Sequence, residues 1–391
     1  MNERRKILID LRGIQTESLY RGIGTLWKYI LKYLAGIDRK NRYFLLYFRN
    51  VPSADDSIDY PDNFEKVYVG QFAGNRKVLF PVLWWYNNAQ LGKFVRKINP
   101  DVIIYTTFPE VTFWEKSYSG CITINYIYDV IPVLFSRNPV KRYVMRRKLI
   151  YSSRNHFVIV LSKSVLEDIN SICSSEVKSV FVNYPGVDEH FFDFNSADCR
   201  SCAEKYNLPG GYILYVGGFD PRKNLTRLVE AYRIASERIE LPPLVVAGKT
   251  GGNYYKALVN TISRYNLTEK IIFPGYIDDN CMPCLYFMAD FLAFPSLYEG
   301  FGLPVVESMA SGCPVLTSNV SSMPEIADDC AVLVDPYDIN SIADAIISLS
   351  TDDNLRRRLS ACGREHARKF PWRRTAERLL EIIETVSAKE K

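Results

Sequence analysis

Short apolar runs alternate with amphipathic stretches along the whole chain. Runs such as residues 102–105 and 291–294 are brief, apolar throughout and sharply bounded, which is typical of strands buried on both faces of a parallel sheet. Stretches such as 225–239 instead repeat apolar residues at the spacing of an amphipathic helix. This alternation is typical of βαβ units, and it predicts an α/β fold with parallel sheets.

The predicted elements form two series. In the first series the strands are predicted at 6–10, 43–47, 67–69, 102–105, 121–126 and 157–161, and the helices at 24–34, 89–98 and 140–153. In the second the strands are predicted at 212–216, 243–247, 271–273, 291–294, 315–317 and 331–334, and the helices at 225–239, 254–265, 282–288, 304–311, 339–350 and 353–369. Two such series predict two Rossmann-like domains with ligands at the carboxyl ends of their strands. Pro185 and Gly186 mark the joint, so we place the domains at 1–185 and 186–369, with a terminal helix over 370–391.

Composition narrows the class of protein. A chain of 391 residues is longer than a single hydrophobic core usually supports, which favours two domains. A composition of 47% hydrophobic and 24% charged residues is ordinary for a globular protein. A net charge of +5 is modest, which disfavours nucleic-acid binding. No apolar run has the roughly 20 residues of a membrane span. The apolar run within the first ten residues is shorter than the apolar region of a signal peptide. We therefore predict a cytoplasmic protein.

The chain has nine cysteines, four of them in two Cys-x-x-Cys pairs, Cys199/Cys202 and Cys281/Cys284. Four thiolates could bind zinc. However, Cys284 lies at a predicted helix start, no histidine is near either pair, and a sheet-forming segment separates the pairs in sequence. We therefore expect reduced structural thiols and no metal site.

The most informative stretch runs from residue 291 to residue 310. A predicted strand ends there, Gly300 and Gly302 allow a backbone that other residues disfavour, and Pro304 suits the first turn of a helix. The N–H groups of Phe301, Gly302 and Leu303 would then open a helix N-terminus, where a phosphate is favoured.

Two glutamates flank this turn. Glu299 precedes it and Glu307 lies one turn inside the predicted helix, so both can reach one pocket. We expect one carboxylate to accept hydrogen bonds from ribose hydroxyls and the other from sugar hydroxyls. The alternative is a glycine-rich turn with surface glutamates.

A second glycine-rich turn follows the first strand. Gly22 and Gly24, after Arg21, open a predicted helix and form an amide-lined site for a donor diphosphate or an acceptor. The three histidines, His156, His190 and His366, are expected to be structural, which argues against chemistry that needs a histidine base.

Residues 141–154 carry six basic side chains and no acidic one. With Phe80, Trp84 and Trp85 in the same domain, this segment is a candidate for contact with an anionic membrane surface or a polyprenyl-diphosphate acceptor. The alternative, which we favour slightly, is a solvated basic helix face.

The stretch from Glu299 to Glu307 resembles the Glu-x7-Glu motif of the retaining glycosyltransferases of family 4, which have the GT-B fold. Similarity continues over nearly the whole chain: residues 216–225 resemble the first donor loop, 275–277 the base-contacting turn and 318–325 the following loop, and residues 335–336 and the Trp372 helix also match. The resemblance implies two Rossmann-like domains across a cleft, an acceptor domain first and a donor domain second, with the terminal helix crossing back to the first.

The resemblance also implies roles for individual residues. Glu307 would bind the donor ribose, Glu299 would lie beside the donor sugar and diphosphate, and Lys223 would pair with the diphosphate. The family often has arginine directly after the glycine matched here by Gly217, but this chain has Gly218, so Arg222 is the substitute. Tyr276 and Ile277 would contact the base.

In the first domain the family usually has His-Asp at the end of a strand, and this chain has Tyr128 and Asp129. Tyrosine can donate a hydrogen bond but does not titrate near neutral pH as histidine does. Asp129 is a candidate for positioning the acceptor, and the alternative is a helix or turn cap.

The predicted reaction is a retaining, metal-independent hexosyl transfer by front-face attack, a mechanism that the resemblance supplies. The sequences of residues 220–224 and 296–304 are similar to the corresponding segments of bacterial mannosyltransferases of O-antigen and exopolysaccharide assembly. GDP-mannose is therefore the first expected donor, and UDP-sugars are next. The expected acceptor is a glycan or a polyprenyl-diphosphate-linked sugar, used in the cytoplasm or at the inner face of the plasma membrane. Alternatives are a sugar epimerase or phosphorylase on the same fold, and a binding protein with a degenerate site.

Overall fold

A computed structural model describes residues 4–15, 22–70, 80–106, 120–173 and 177–389. The chain divides into two compact units, the first comprising Met1–Tyr184 with Trp372–Lys391 and the second Pro185–Pro371. Each unit is built around one parallel sheet covered by helices, as the alternation of apolar runs and amphipathic stretches predicts.

The sheet of the first unit has seven strands. They are β1 (Lys6–Asp10), β2 (Arg42–Phe48), β3 (Phe64–Val69), β4 (Val102–Tyr105), β5 (Ile122–Ile127), β6 (Phe157–Val160) and β7 (Ser179–Val182), and they lie in the order β3-β2-β1-β4-β5-β6-β7. The helices described before the second unit are α1 (Gly22–Ile37), α2 (Phe80–Ile98), α3 (Ile131–Leu134), α4 (Pro139–Asn155) and α5 (Lys163–Cys173). The strand order reverses between β1 and β4, where a crevice opens at the carboxyl ends.

The second unit repeats this plan with six strands. They are β8 (Ile213–Val216), β9 (Leu244–Ala247), β10 (Ile271–Gly275), β11 (Phe291–Phe294), β12 (Val315–Ser318) and β13 (Val332–Val334), in the order β10-β9-β8-β11-β12-β13. Its helices are α6 (Cys199–Tyr206), α7 (Leu225–Ser236), α8 (Gly252–Arg264), α9 (Met282–Phe287), α10 (Leu303–Ala310), α11 (Met323–Ala327), α12 (Ile339–Thr351) and α13 (Asp353–Ala367). Here the order reverses between β8 and β11.

The last helix, α14 (Trp372–Lys389), belongs to the first unit. Its apolar face is buried, and Trp372 stacks on Tyr29 of α1 with ring centroids 5.0 Å apart. The Thr375 hydroxyl donates to the Tyr184 carbonyl at 2.8 Å. Burial of one aromatic and several aliphatic side chains against α1 therefore fixes the end of the chain to the first sheet unit.

The central strands lie where the sequence predicts them, because each is apolar on both faces: all four residues of β4, β6 and β11 are buried. Several elements were not predicted, namely β7, α3, α5, α6 and α11. All four residues of β7 are only half-buried, as suits an edge strand, and α11 has five residues, too few to show a helical period. In the part of the chain that the structure describes, no helix is both long and apolar enough to cross a bilayer.

The cysteines are not arranged as expected. The two Cys-x-x-Cys pairs meet, with Cys199 joined to Cys284 and Cys202 to Cys281 as disulfides, and Cys330 is joined to Cys362. The expectation of separate reduced thiols is therefore wrong for six cysteines. The packing of α6 against α9 brings together the two pairs that are far apart in sequence, and Cys330, which follows α11, meets Cys362 of α13. Cys121, Cys173 and Cys313 are free thiols.

Candidate functional site

The candidate site lies at the carboxyl ends of β8 and β11, on either side of the point where the strand order reverses. Residues 217–224 follow β8, and residues 295–302 follow β11. Asn224, in the left-handed region at φ 64°, donates through Nδ2 to the carbonyls of Pro295 at 3.0 Å and Pro336 at 2.7 Å. Its buried amide therefore holds the two loops together, in the position where α/β sheets bind ligands.

Two cations share one carboxylate at this position. Lys223 Nζ donates to Glu299 Oε1 at 2.6 Å, and Arg222 Nη1 lies 3.0 Å from Glu299 Oε2. Burial alone would raise the pKa of Glu299, but the charges of Lys223 and Arg222 and a hydrogen bond from Ser296 hold that pKa below its ordinary value. The cluster therefore contains an ionised glutamate and carries one net positive charge.

The turn that carries Glu299 is fixed by two serines from the segment after β12. The Ser321 hydroxyl accepts from Glu299 N at 3.1 Å and donates to the Glu299 carbonyl at 2.6 Å. The Ser322 hydroxyl lies 2.8 Å from the Phe301 carbonyl. These contacts use the loop that sequence analysis matched at 318–325, and they hold the backbone of the turn while leaving the Glu299 side chain to the two cations.

Gly302 is the N-cap residue immediately before helix α10, and its backbone and surroundings favour glycine. Its φ is +112°, and a Cβ there would lie 2.4 Å from Met323 Cε. Pro304 occupies the first turn, as predicted. The predicted turn of Gly300, Phe301, Gly302 and Leu303 therefore leads into a helix start, where the positive end of the helix dipole favours an anion.

Glu307 is the fifth residue of α10, one turn inside the helix as predicted. Its Oε2 accepts a hydrogen bond from the Tyr286 hydroxyl of α9 at 3.0 Å. Burial raises the pKa of Glu307 to about 7, against smaller effects from Tyr286 and His190 that lower it. The two glutamates of the motif therefore differ electrically: Glu299 is held as an anion, whereas Glu307 titrates near neutrality.

Tyr286 was not predicted as a residue of the site. It lies in a short apolar helix and is fully buried, so in the sequence it is indistinguishable from a core aromatic residue. Its partner 21 residues away in sequence becomes visible only when α9 packs on α10.

The predicted base-contacting turn follows β10. Tyr276 is 57% exposed, whereas Ile277 is buried. The turn borders an open pocket of about 430 Å³ lined by Lys205, Tyr276, Asp278, Asp279, Asn280 and Cys281. Gly218, where the family often has arginine, is an exposed loop residue whose carbonyl accepts from Tyr215 at 3.2 Å.

In the first unit, helix α1 begins at Gly22 and contains Gly24, whereas Arg21 lies outside the described residues. Asp129 Oδ1 accepts from Ile131 N at 2.9 Å, which is the turn cap that sequence analysis held as the alternative. Its role in positioning an acceptor stays a prediction.

Tyr128 is 8% exposed, and its hydroxyl is engaged inside the first unit. It accepts from Trp27 Nε1 at 2.7 Å and donates to the Thr106 carbonyl. The idea that this hydroxyl replaces the family's histidine as a donor to a sugar is therefore not supported, since its proton is already engaged by a backbone acceptor.

Two histidines fit the structural role expected of them. His156 is buried beside Thr123, and His366 is buried with Nε2 3.0 Å from the Ile326 carbonyl. His190 Nδ1 lies 2.6 Å from Asp188 Oδ1, and His190 is among the groups that lower the pKa of Glu307. It is therefore closer to the candidate site than its sequence position suggests.

Comparison with known proteins agrees with this geometry. Residues 204–366 match the family described as glycosyl transferases group 1, a span that contains the cation pair, both glutamates and the helix start. The chain is 26% identical over 402 residues to the serotype-specific mannosyltransferase WbdA of Escherichia coli, covering 96% of this chain and 47% of that protein. It is 32% identical over 222 residues to O-antigen chain mannosyltransferase B of Escherichia coli, covering 54% of this chain and 58% of that protein. The chain thus spans about half the length of these curated relatives.

Among solved structures, the sucrose-phosphate synthase tll1590 of Thermosynechococcus elongatus is similar over 99% of this chain and 100% of its own, with a TM-score of 0.81 and 22% identity. At that identity the likeness concerns the fold. It confirms the predicted GT-B fold of two Rossmann-like domains.

Proposed function

We propose that this chain, whose residues 204–366 belong to the group 1 glycosyl transferases, moves a hexosyl group from a nucleoside diphosphate sugar to a glycan or lipid-linked acceptor. The observation that carries the proposal is the cation pair of Lys223 and Arg222 on Glu299, beside the start of α10 at the β8/β11 crevice. Cationic donors and the N-terminus of a helix at one place are both favourable for binding a diphosphate.

In the proposed donor complex the diphosphate competes with Glu299 for the two cations. Glu299 then turns toward hydroxyls of the donor sugar, for which an ionised carboxylate is an acceptor only. As the bond between the sugar C1 and the phosphate oxygen breaks, negative charge grows on the leaving diphosphate. Lys223, Arg222 and the helix start stabilise this charge, so our proposal requires no metal ion.

Glu307 and the turn at Tyr276 and Ile277 are proposed to recognise the nucleoside. Glu307 would accept hydrogen bonds from the ribose hydroxyls, and the exposed Tyr276 would lie against the base. In the proposed front-face route the acceptor oxygen bonds to C1 on the side that the phosphate leaves, and the phosphate takes the acceptor's proton. The configuration at C1 is then retained.

GDP-mannose is the proposed donor, because both curated relatives are named mannosyltransferases, one of them of the O-antigen chain. The proposed setting is surface polysaccharide synthesis at the cytoplasmic side of the membrane. UDP-sugars are the alternative donors.

Thermal-shift measurements with GDP-mannose, UDP-glucose, ADP-glucose and dTDP-glucose test the donor site. A donor at a hundredfold over its dissociation constant stabilises the folded chain by about 2.7 kcal/mol. We expect the largest shift with GDP-mannose, and a much smaller shift with it in Lys223→Ala, which removes one cation of the proposed diphosphate site. If no nucleotide sugar shifts the melting temperature of the unaltered chain, the proposal is wrong.

Product analysis tests the reaction. Incubation with GDP-mannose and a mannose-terminated oligosaccharide should lengthen the oligosaccharide and release GDP, with an α-linkage by NMR if configuration is retained. Conversion of the donor sugar without an acceptor would instead indicate an epimerase.

We further propose that helix α4 contacts an anionic membrane surface. It carries six basic residues and no acidic one, and its Val140 and Tyr143 side chains are 69% and 64% exposed. The neighbouring Leu134 and Phe135 are also exposed. Exposed apolar side chains among positive charges match anionic headgroups over a hydrocarbon layer, at about 1 kcal/mol per basic residue near the surface. The side chains of Phe80, Trp84 and Trp85 lie outside the described residues.

Flotation with vesicles of phosphatidylglycerol and phosphatidylcholine tests this contact. We expect binding that rises with phosphatidylglycerol content, falls with salt, and is lost in Arg142→Glu/Arg146→Glu. The matched control is Arg39→Glu/Lys40→Glu, the same charge change at an exposed loop of the same unit. Equal loss in both variants would show a nonspecific charge effect.

A further inference from the structure

Four cysteines from two distant parts of the second unit meet at one point. Cys199 and Cys202 lie in α6, Cys281 immediately precedes α9, and Cys284 lies in its first turn. The Cα atoms of Cys199 and Cys284 are 4.9 Å apart, and those of Cys202 and Cys281 are 5.8 Å apart. Each thiol of one Cys-x-x-Cys pair therefore lies against a thiol of the other pair.

The geometry is that of a small four-cornered cage. The two cysteines within each pair are three residues apart on a helical turn, where side chains are neighbours, so the four side chains can surround one point. Cys199, Cys202 and Cys284 are at least nine-tenths buried, and Phe194 and Met288 pack against them. Four thiolates about 2.3 Å from a central ion form a tetrahedral zinc site of this size.

We propose that the reduced form of this cluster binds one zinc ion through Cys199, Cys202, Cys281 and Cys284. The structure describes the oxidised form, in which no group of three or more His, Cys, Asp or Glu side chains among the described residues could hold a metal. A chain made in a reducing compartment carries the four residues as thiols from the start, so no electron transfer is required. Zinc binding releases their four protons to solvent and leaves a site of net charge −2.

In a reducing compartment, zinc binding by these four cysteines is favoured over two stable disulfides. Disulfides are rare in the cytosol, the location that the sequence predicts, and there Cys-x-x-Cys pairs more often bind metal. Cys284 does lie at a helix start, but the other two objections to zinc no longer hold, because the two pairs are adjacent in space and a site of four cysteines needs no histidine. The inference rests on these reducing surroundings and not on the transfer reaction.

Such a site would fix the turn beside it. The turn after β10 is already held to α6, since Asp278 Oδ2 accepts from Lys205 Nζ at 2.6 Å and from the Tyr206 hydroxyl at 2.9 Å. Zinc would add a covalent-strength connection between α6 and α9, whose Tyr286 contacts Glu307. We therefore assign the zinc a structural role next to the open pocket at Tyr276.

Metal analysis of the unaltered chain tests the proposal directly. The full chain is produced with zinc in the medium, purified without oxygen in the presence of a phosphine reductant, and analysed by mass spectrometry for metals. We expect about one zinc per chain, released when a mercurial reagent titrates the thiols, and a shift of the melting temperature to lower values after release. Cobalt substitution should give the intense visible absorption of tetrahedral sulfur ligation.

Variants separate this cluster from the other cysteines. Cys202→Ser should lose most of the zinc, whereas Cys330→Ser, a cysteine outside the cluster, should keep it. Alkylation in intact cells before lysis adds a readout that does not depend on a folded variant. Chains without zinc, or chains whose Cys199–Cys284 and Cys202–Cys281 links already exist in the cell, would overturn the proposal.

Discussion

The two sheet units have the same strand order around their reversal points, yet they fill those points differently. At the ends of β1 and β4, Arg12 Nε and Nη2 donate to both carboxylate oxygens of Asp10 at 2.8 and 2.6 Å, and the Thr106 hydroxyl donates to the Asp10 carbonyl at 2.6 Å. At the ends of β8 and β11, Lys223 and Arg222 share Glu299 instead.

The difference lies in exposure and balance of charge. The Arg12 and Asp10 side chains are 6% and 0% exposed and form a one-to-one ion pair, whereas Lys223, Arg222 and Glu299 are 15%, 15% and 11% exposed and combine two cations with one carboxylate. The buried Arg12–Asp10 pair is closed, with little exposed surface for a further ligand. The partly exposed, open cluster has more cations than carboxylates, so its cations can bind an anionic ligand in place of Glu299. Shared topology therefore supplies two crevices, and the side chains decide which one suits a diphosphate.

The largest effect should come from breaking the closed pair. Arg12→Ala leaves the Asp10 charge buried without its cationic partner, so we expect a loss of about 3–5 kcal/mol in the free energy of unfolding. Urea denaturation followed by circular dichroism measures it. The double variant Asp10→Asn/Arg12→Met removes both charges and should recover most of this loss. A cost near that of a surface pair, below about 1 kcal/mol, would mean that the two crevices do not differ as described.

Removing a cation from the open cluster should act on activity instead. In Lys223→Ala the leaving diphosphate loses one charged donor, and the transfer rate should fall about 10²–10³-fold. Initial rates of GDP release at saturating acceptor measure this fall. Lys256→Ala, an exposed lysine of α8 in the same unit, is the matched control and should keep the rate. A change of less than tenfold would remove Lys223 from the proposed diphosphate site.

The fold was predictable from sequence to the extent that burial is visible there. Strands β1, β4 and β11 have the predicted bounds because their apolar runs end abruptly at polar or proline residues. The turn around Gly302 was predictable for a related reason, since its backbone demands a glycine and its helix start suits a proline.

Contacts between distant segments were not predictable. Nothing in the sequence pairs Tyr286 with Glu307 or Tyr128 with Thr106, because each contact depends on how one element packs on another. The two Cys-x-x-Cys pairs show the same limit: their spacing was visible, but their meeting depends on α6 packing against α9.

Stability should also depend on pH through the second unit. Burial raises the folded-state pKa of Glu307 to about 7 from an ordinary value of 4.5, so the folded state holds this proton more tightly than the unfolded chain does. The resulting stabilisation is complete below the ordinary value and is lost as pH rises through about 7. We expect a loss of roughly 2–3 kcal/mol between pH 5 and pH 8.5, relative to Glu307→Gln.

Urea denaturation of both proteins across this pH range, without donor, gives the difference. His190 and Asp279 also act on Glu307, so the comparison with Glu307→Gln, which retains both neighbours, isolates the carboxyl group. Parallel pH profiles for the two proteins would contradict the raised pKa and, with it, the electrical difference between the two glutamates.

Two glycines give the smallest effects, of opposite sign. Gly302→Ala places a Cβ at a backbone φ of +112° and against Met323, so we expect a loss of about 1–2 kcal/mol in the free energy of unfolding. Gly36→Ala, in helix α1 of the other unit, has no atom within 4 Å of the added Cβ and should gain about 0.4–1 kcal/mol. Urea denaturation measures both. If Gly302→Ala were neutral or stabilising, the backbone before α10 would not require a glycine.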